Sequence, residues 1–315
     1  MRTKEYSILF LLAALWGASF LFIKVAVTDM PPLLLVFLRL ALGTLGFLVI
    51  IPFQPAVMRG WRSRLGSFVI VTVFNTIIPY LTISWGEQHV ASGMAAILNA
   101  TTPLVLVIAS IWLPGGERLS WLRLLAVLIG FVGVGVLVGP SVVAAGTSRL
   151  YLLGALSCFI GAASYAFGSY FAHKLLHGAP PMQQAVGQIG MGAILLAPFT
   201  GVDLAVQPLA HMPSTWAIAS LLALSLGGTT LAYLCYFWLI ENVGPTRTLI
   251  VTYLLPCMAL VYGALFLQEA LNVRSVGGLA LVLIGVFLAG KKATGKRTNA
   301  EEKLSTAEEA GTPAG

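Results

Sequence analysis

Ten stretches of this chain are each apolar for about the length of a bilayer, and that repeated length limits the fold more than any other feature. A helix needs about 20 residues to cross the hydrocarbon core of a membrane. Runs near that length lie at residues 7–27, 32–51, 67–86, 92–112, 122–140, 151–172, 182–201, 216–239, 246–267 and 274–290. In lipid each backbone N–H and C=O must find a partner within the protein, which a helix provides within one segment. The connections, among them "DMPPL", "LPGGERLS" and "ENVGPTRT", leave no room for a folded domain between spans. The expected class is therefore an all-α integral membrane protein of ten transmembrane helices. Composition excludes the soluble alternative, because only 9% of residues are charged, against about a quarter in a soluble domain.

Charge placement sets the expected orientation. The first run follows a basic start, "MRTKEYS", as a secretory signal would. It is longer than a signal's apolar core and carries Trp16 and Lys24, so it reads as an uncleaved first span. With the N-terminus inside, fourteen Lys and Arg residues from Arg2 to Lys303 fall on the inner side. Lys24, Arg149 and Arg274 fall outside, and Arg39 lies within a span. The positive-inside rule then places both termini in the cytoplasm, with the chain in the inner membrane. Residues 293–315 are polar and lack the apolar content to fold, so a disordered cytoplasmic tail is expected there. The net charge of +7 is dispersed between apolar runs and forms no basic face, so no nucleic-acid partner is expected. Cys158, Cys235 and Cys257 lie in apolar runs without a CxxC or a His cluster, which points to packing rather than to a metal, redox or cofactor site.

The second half repeats the first. "YLTISWGEQHVASG" (80–93) aligns with "YLCYFWLIENVGPT" (233–246), setting Tyr80 on Tyr233, Pro103 on Pro256 and Asn99 on Thr252. Earlier, the Pro-Pro pair at 31–32 matches that at 180–181, Trp16 matches Tyr165, and Arg39 matches Gln188. The units run over 1–145 and 146–292. Each holds five spans, an odd number, so the second enters the membrane from the opposite side. Inverted repeats around a site near the midplane are a recurrent plan of secondary transporters.

The start "LWGASFLFIK", the proline-opened second span with its arginine, and "LNATTPL" followed by "GERL" resemble one repeat of the EamA family of the drug/metabolite transporter superfamily. "WLIENVGPTRTLIVTYLLP", with "LQEAL" and "GGLALVLIGV" after it, resembles the other repeat. The resemblance covers the chain to about residue 290. It implies a ten-helix carrier of small organic solutes, commonly outward, with a central cavity to which the fourth and ninth spans contribute. Members that export aromatic amino acids tend to carry bulky aromatics just before the fourth-span proline. Here Ala100, Thr101 and Thr102 stand there, which argues against that substrate.

Polar residues in the spans are the candidate site. Pro103 removes one backbone donor and clashes with the carbonyl of Asn99, so the fourth helix should open there. Pro256, with Thr252 and Tyr253, is expected to break the ninth helix in the same way. The freed groups need protein or a water-lined cavity, and Asn99, Thr101 and Thr102 are suited to satisfying them. They serve either as a shared solute site or as glue between helices. Arg39 is the one charge deep within a span. It either holds a carboxylate or phosphate or snorkels and fixes neighbouring helices. Trp16, Ser19, Tyr80, Tyr165 and Tyr233 offer flat faces with polar tips to the same cavity, and Gln188 mirrors Arg39 without its charge. Trp85 and Trp238 read as interface anchors, Lys24 as gating or snorkelling, and Glu117 and Glu269 as helix-end acceptors. The glycines of "GFVGVGVLVG" allow close helix packing.

No Walker motif is present, and the reading places no Asp or Glu inside a span. The expected function is a facilitator or exchanger, not an enzyme, that moves a small neutral, zwitterionic or singly anionic solute through the lipid bilayer by alternating access. The alternatives are a carrier of nucleotide sugars or phosphate esters and a membrane protein that transports nothing.

Overall fold

The computed structural model describes residues 3–53, 57, 60–114, 121–143 and 149–290. Among them every regular element is helical. Nine helices are long and apolar enough to cross a membrane: α1 (Thr3–Ala26), α2 (Pro32–Ile50), α3 (Arg62–Glu87), α4 (Ser92–Ala109), α5 (Trp121–Gly139), α6 (Arg149–Leu175), α7 (Pro181–Val206), α8 (Thr215–Val243) and α10 (Val273–Gly290). The shorter apolar α9 (Val251–Leu267) completes the ten. Both the tail at 293–315 and Glu117 lie outside the described residues.

Local chemistry places the helix starts. Pro31 and Pro180 stand before α2 and α7 in the same extended conformation, and each is followed by a proline in the first turn. A proline there loses an N–H that would have had no partner, and its fixed φ suits the helix. The C-terminal end of α1 is tied across the fold: Asp29 accepts a hydrogen bond from the Ser214 N–H at 3.0 Å, and the Ser214 hydroxyl caps the start of α8 through Ala217 N–H.

The helices pack as two related sets. In the first, α1 lies on α9, α1 on α8 and α2 on α8; in the second, α6 lies on α4, α6 on α3 and α7 on α3. The pairs α2–α7 and α4–α9 join the halves at the centre. Exchanging the halves carries each contact onto another member of the set, as expected for two copies about a two-fold axis. Helices α5 and α10 cross in the same reciprocal way. A Cβ on Gly133 would lie 2.8 Å from the Gly278 carbonyl, and one on Gly285 would lie 2.6 Å from that of Ala126. The glycines of the fifth span therefore do admit a close helix, although Gly135 and Gly139 face open space.

Two irregularities were not legible in the sequence. Helix α3 widens to a π-helix over Val73–Ile77, and α8 does so over Ala223–Leu231. The alignment that sets Tyr80 on Tyr233 places the first inside the second. Wide turns of this kind occur frequently at functional sites.

The expected break at Pro103 is present. The first segment of α4 stops at Asn99 and a second resumes at Thr102. The expected break at Pro256 is not. Helix α9 runs from Val251 through Pro256 to Leu267, and the interruption lies upstream at Leu249–Ile250, after a short turn of helix at Pro245–Thr248. A proline inside a helix removes one bond, and the rest of α9 holds. The upstream chain is loosened where Gly244, at φ 82°, starts a separate turn. Thr252 Oγ1 there donates to the Leu249 carbonyl at 2.7 Å.

Candidate functional site

The two π segments face the central pair α2 and α7, and each receives a polar side chain from the other half. Arg39 of α2 is buried and donates from Nε to Thr229 Oγ1 of the α8 segment at 3.1 Å. Gln188 of α7 is equally buried and accepts from Asn75 Nδ2 of the α3 segment at 2.7 Å. The residues that the repeat aligned, Arg39 and Gln188, thus occupy matching seats.

Hydroxyl groups tie the widened turns, some to carbonyls of the turns themselves and some to carbonyls of the neighbouring helices. Thr229 Oγ1 donates to Leu224 O, five residues back, at 3.1 Å. Thr230 Oγ1 reaches Gly43 O of α2 at 3.2 Å. On the other side Ser164 of α6 donates to Phe74 O at 2.7 Å, and Thr72 of α3 donates to Gln188 O at 3.3 Å. A Cβ on Gly168 would lie 2.6 Å from Asn75, so α6 touches the wide turn of α3 directly. Its counterpart Ser19 lies in α1 against Gly228, with its hydroxyl on Leu15 O. One polar atom of this layer, Thr76 Oγ1, is buried without a partner.

Aromatic side chains surround the arginine. The Arg39 guanidinium carbon stands 3.9 Å from the centre of the Tyr80 ring, a desolvated cation–π contact of the stronger kind. Tyr165, Tyr233 and Tyr236 pack against the cluster that contains Tyr80, Phe47 and Phe237. Trp16 meets Tyr233 edge-on at 6.2 Å and Tyr236 at 5.4 Å. Seven predicted site residues are therefore brought together around the π segments: Trp16, Ser19, Arg39, Tyr80, Tyr165, Gln188 and Tyr233.

The other five are not part of that layer. Thr101 Oγ1 donates to Leu98 O at 2.6 Å and Thr102 Oγ1 to Asn99 O at 2.7 Å, so both hydroxyls satisfy carbonyls freed at the α4 break. Asn99 Oδ1 is buried there without a partner among the described residues. Tyr253 packs with Ala100 against the α4–α5–α10 cluster, and Thr252 is occupied by its own turn. Trp238 lies under Lys4 at 5.0 Å and Trp85 against His89, at opposite ends of the protein. Glu269 accepts from the N–H groups of Ser92 (2.6 Å) and Gly93 (3.1 Å), capping α4 from the other half as expected.

Two polar residues differ from the sequence reading. Lys24 neither snorkels nor stands free, for its Nζ donates to the main-chain carbonyls of Glu87 and of Val90, the latter at 2.8 Å. Glu87 closes α3 and is fully buried, so an acid does lie within the helical span. Among the described residues no group of three His, Cys, Asp or Glu side chains is arranged to hold a metal ion.

Ten apolar helices in two related sets, with a charged and aromatic layer between them, define a multi-pass membrane protein of the carrier type. The EamA-like transporter family model matches residues 3–139 and again 152–290, and the chain belongs to that family. An uncharacterized transporter of Archaeoglobus fulgidus is 26% identical over 92% of this chain and 99% of its own. The uncharacterized inner membrane transporter YedA of Escherichia coli is 25% identical over 90% of this chain and 89% of its own. A protein of Salmonella typhimurium called a probable amino-acid metabolite efflux pump is 25% identical over 91% and 95%. A crystal structure shares the fold with a TM-score of 0.62 at 18% identity, over 93% of this chain and 99% of that one.

Proposed function

We propose that this chain exports small organic metabolites by alternating access, as a facilitator or exchanger independent of ATP. The units 1–145 and 146–292 rock against each other, with both termini in the cytoplasm and 293–315 as a disordered tail. The observation that carries this reading is Arg39. A buried guanidinium bonded to a π segment of the opposite half, beneath a tyrosine ring, is a charge within the membrane and so a functional candidate by its position. Guanidinium and carboxylate match in geometry, and the surrounding rings suit a solute with a flat or apolar body. A carboxylate-bearing zwitterion or monoanion is therefore the solute class, in keeping with the name of the Salmonella relative. Trp16, Ser19, Tyr80, Tyr165, Gln188 and Tyr233 shape the cavity around it. The α4 break at Asn99–Thr102, with Thr252 and Tyr253 across from it, serves as the hinge side.

The test compares exported metabolites by mass spectrometry in cells with the wild type or Arg39→Leu at matched abundance. A few carboxylates enriched outside only with the wild type are expected. Identical profiles overturn export.

A further inference from the structure

Glu87 has no role in that layer and no conventional structural role either. Neither carboxyl oxygen has a hydrogen-bond partner among the described residues, and the residue is 0% exposed. The groups around it are accounted for on every side. Lys24 of α1 spends its hydrogen bonds on the carbonyls of Glu87 and Val90, which caps the C-terminal end of α3, and it reaches the carboxyl group through its field alone. Glu269, after α9, is bound to the start of α4. Cys158 of α6 is buried against Gly86, where a Cβ would lie 2.4 Å from its sulfur. Arg39 of α2 acts on Glu87 through the field alone and is bonded to Thr229. His89, two residues on, meets Trp85 edge-on at 4.7 Å. An unpaired carboxylate in such a place is far more costly than a neutral acid.

An open cleft of about 530 Å³ lies one residue away, lined by Lys24 and Glu269 together with Thr28, Ala91, Leu267 and Gln268. We propose that Glu87 is a proton-binding site of the transport cycle and that Lys24 is its gate. In the arrangement seen here the outer ends of α1, α3 and α4 are closed, and Glu87 is the neutral acid. When they part, Lys24 leaves the two carbonyls, the O–H bond of Glu87 breaks, and its proton passes to cleft water as hydronium. The carboxylate left behind pairs with the Lys24 ammonium. Closure reverses the step and takes up one proton from the cleft. The inference rests on the alternating-access reading, but its test needs no transported solute.

Spin labels on Thr28→Cys and Ala91→Cys, both lining the cleft, report the opening by pulsed electron resonance in lipid nanodiscs between pH 5 and 9. One proton per closure makes the open-to-closed ratio rise by up to about tenfold per pH unit. The short distance should dominate at low pH and give way as pH rises. Glu87→Gln should remain short throughout, Glu87→Asp should restore the response, and His89→Gln should leave it intact. A wild type indifferent to pH, a Glu87→Gln that responds like the wild type, or a response lost with His89 would each overturn the assignment. A failed export screen with an intact Glu87 response would overturn the export reading alone.

Discussion

Replacing Arg39 by leucine separates a solute-binding arginine from a structural one, because the two roles predict opposite pairs of results. Within the protein Arg39 makes one charge-assisted hydrogen bond, to Thr229, worth about 1.5–3 kcal/mol. It also makes one desolvated cation–π contact, over Tyr80, worth about 2 kcal/mol. Against these stands the cost of holding a guanidinium out of water, also several kcal/mol. The terms nearly cancel, so Arg39→Leu should change stability by about 1 kcal/mol or less. That corresponds to roughly 2–4 °C in melting temperature for a chain of a few hundred residues. Binding of an anion has no such compensation. Removing one partner of a buried charge pair costs about 2–5 kcal/mol, and each 1.4 kcal/mol is about tenfold in affinity. Export of the carboxylate found in the metabolite screen should therefore fall at least ~30-fold. Arg39→Lys keeps the charge but loses the planar fork, and should fall between. Melting and efflux are measured on the same preparations. Efflux within a few-fold of the wild type beside a lowered melting temperature would refute the solute-binding role.

The two prolines should part company: Pro103→Ala, at a real break, should slow transport about tenfold by restoring the helix, an increase of about 1.4 kcal/mol in barrier. Pro256→Ala, inside a continuous helix, should leave the rate near the wild type, and equal rates for both would discard the α4 hinge. Gly133→Val and Gly285→Val meet backbone atoms in reciprocal positions and should each cost about 1–3 kcal/mol in thermal unfolding. Gly135→Val, in open space, should stay within about 0.5 kcal/mol, so a large loss there would contradict the packing. The bonds from Ser214 hold the Asp29 carboxyl below its ordinary value of 3.8. A lowered folded-state value means that its stabilisation is complete above that pH and is lost as pH falls through the folded value. The melting difference between wild type and Asp29→Asn should accordingly be constant at neutral pH and vanish in strong acid.

What could be read from the sequence was whatever the bilayer dictates. Span length, apolarity and the Pro-Pro starts of α2 and α7 follow from hydrocarbon thickness and backbone satisfaction, and the structure reproduces them. Pro103 was legible because an amide and two hydroxyls stand beside it to take the freed carbonyls. Pro256 misled because one missing N–H is tolerated, while the actual interruption depends on Gly244 and the turn after it. The π segments leave no mark in "VFNTI" or "ALSLGGTTL". Their polar groups find partners in Ser164, which donates to the Phe74 carbonyl, in Gln188, which accepts from Asn75, and in the Gly43 carbonyl of α2, which accepts from Thr230. Only the folded chain brings these near. Glu87 was placed one residue outside its span. It is buried because Gly86 lets α3 press onto Cys158 and Gly154, a contact between distant parts of the chain.

The two halves agree where motion needs agreement and differ where recognition needs difference. Rocking one unit against the other requires interfaces that work alike from either side. The reciprocal contacts of Gly133 and Gly285, and the π segments set at one alignment, meet that need. A solute with a head and a tail requires unequal ends. The matching seats meet that need as well, since one holds the charge of Arg39 and the other the neutral amide of Gln188. Exchanging them, as Arg39→Gln with Gln188→Arg, keeps the composition of the layer and moves its charge to the other π segment. Asn75 stands there in place of a hydroxyl, and Gly168 leaves no side chain to give way. The doubly exchanged protein should therefore melt below the wild type, and bind the carboxylate in reversed orientation or not at all. Full activity in the exchanged protein would show that position relative to the two halves is immaterial and that charge alone selects the solute.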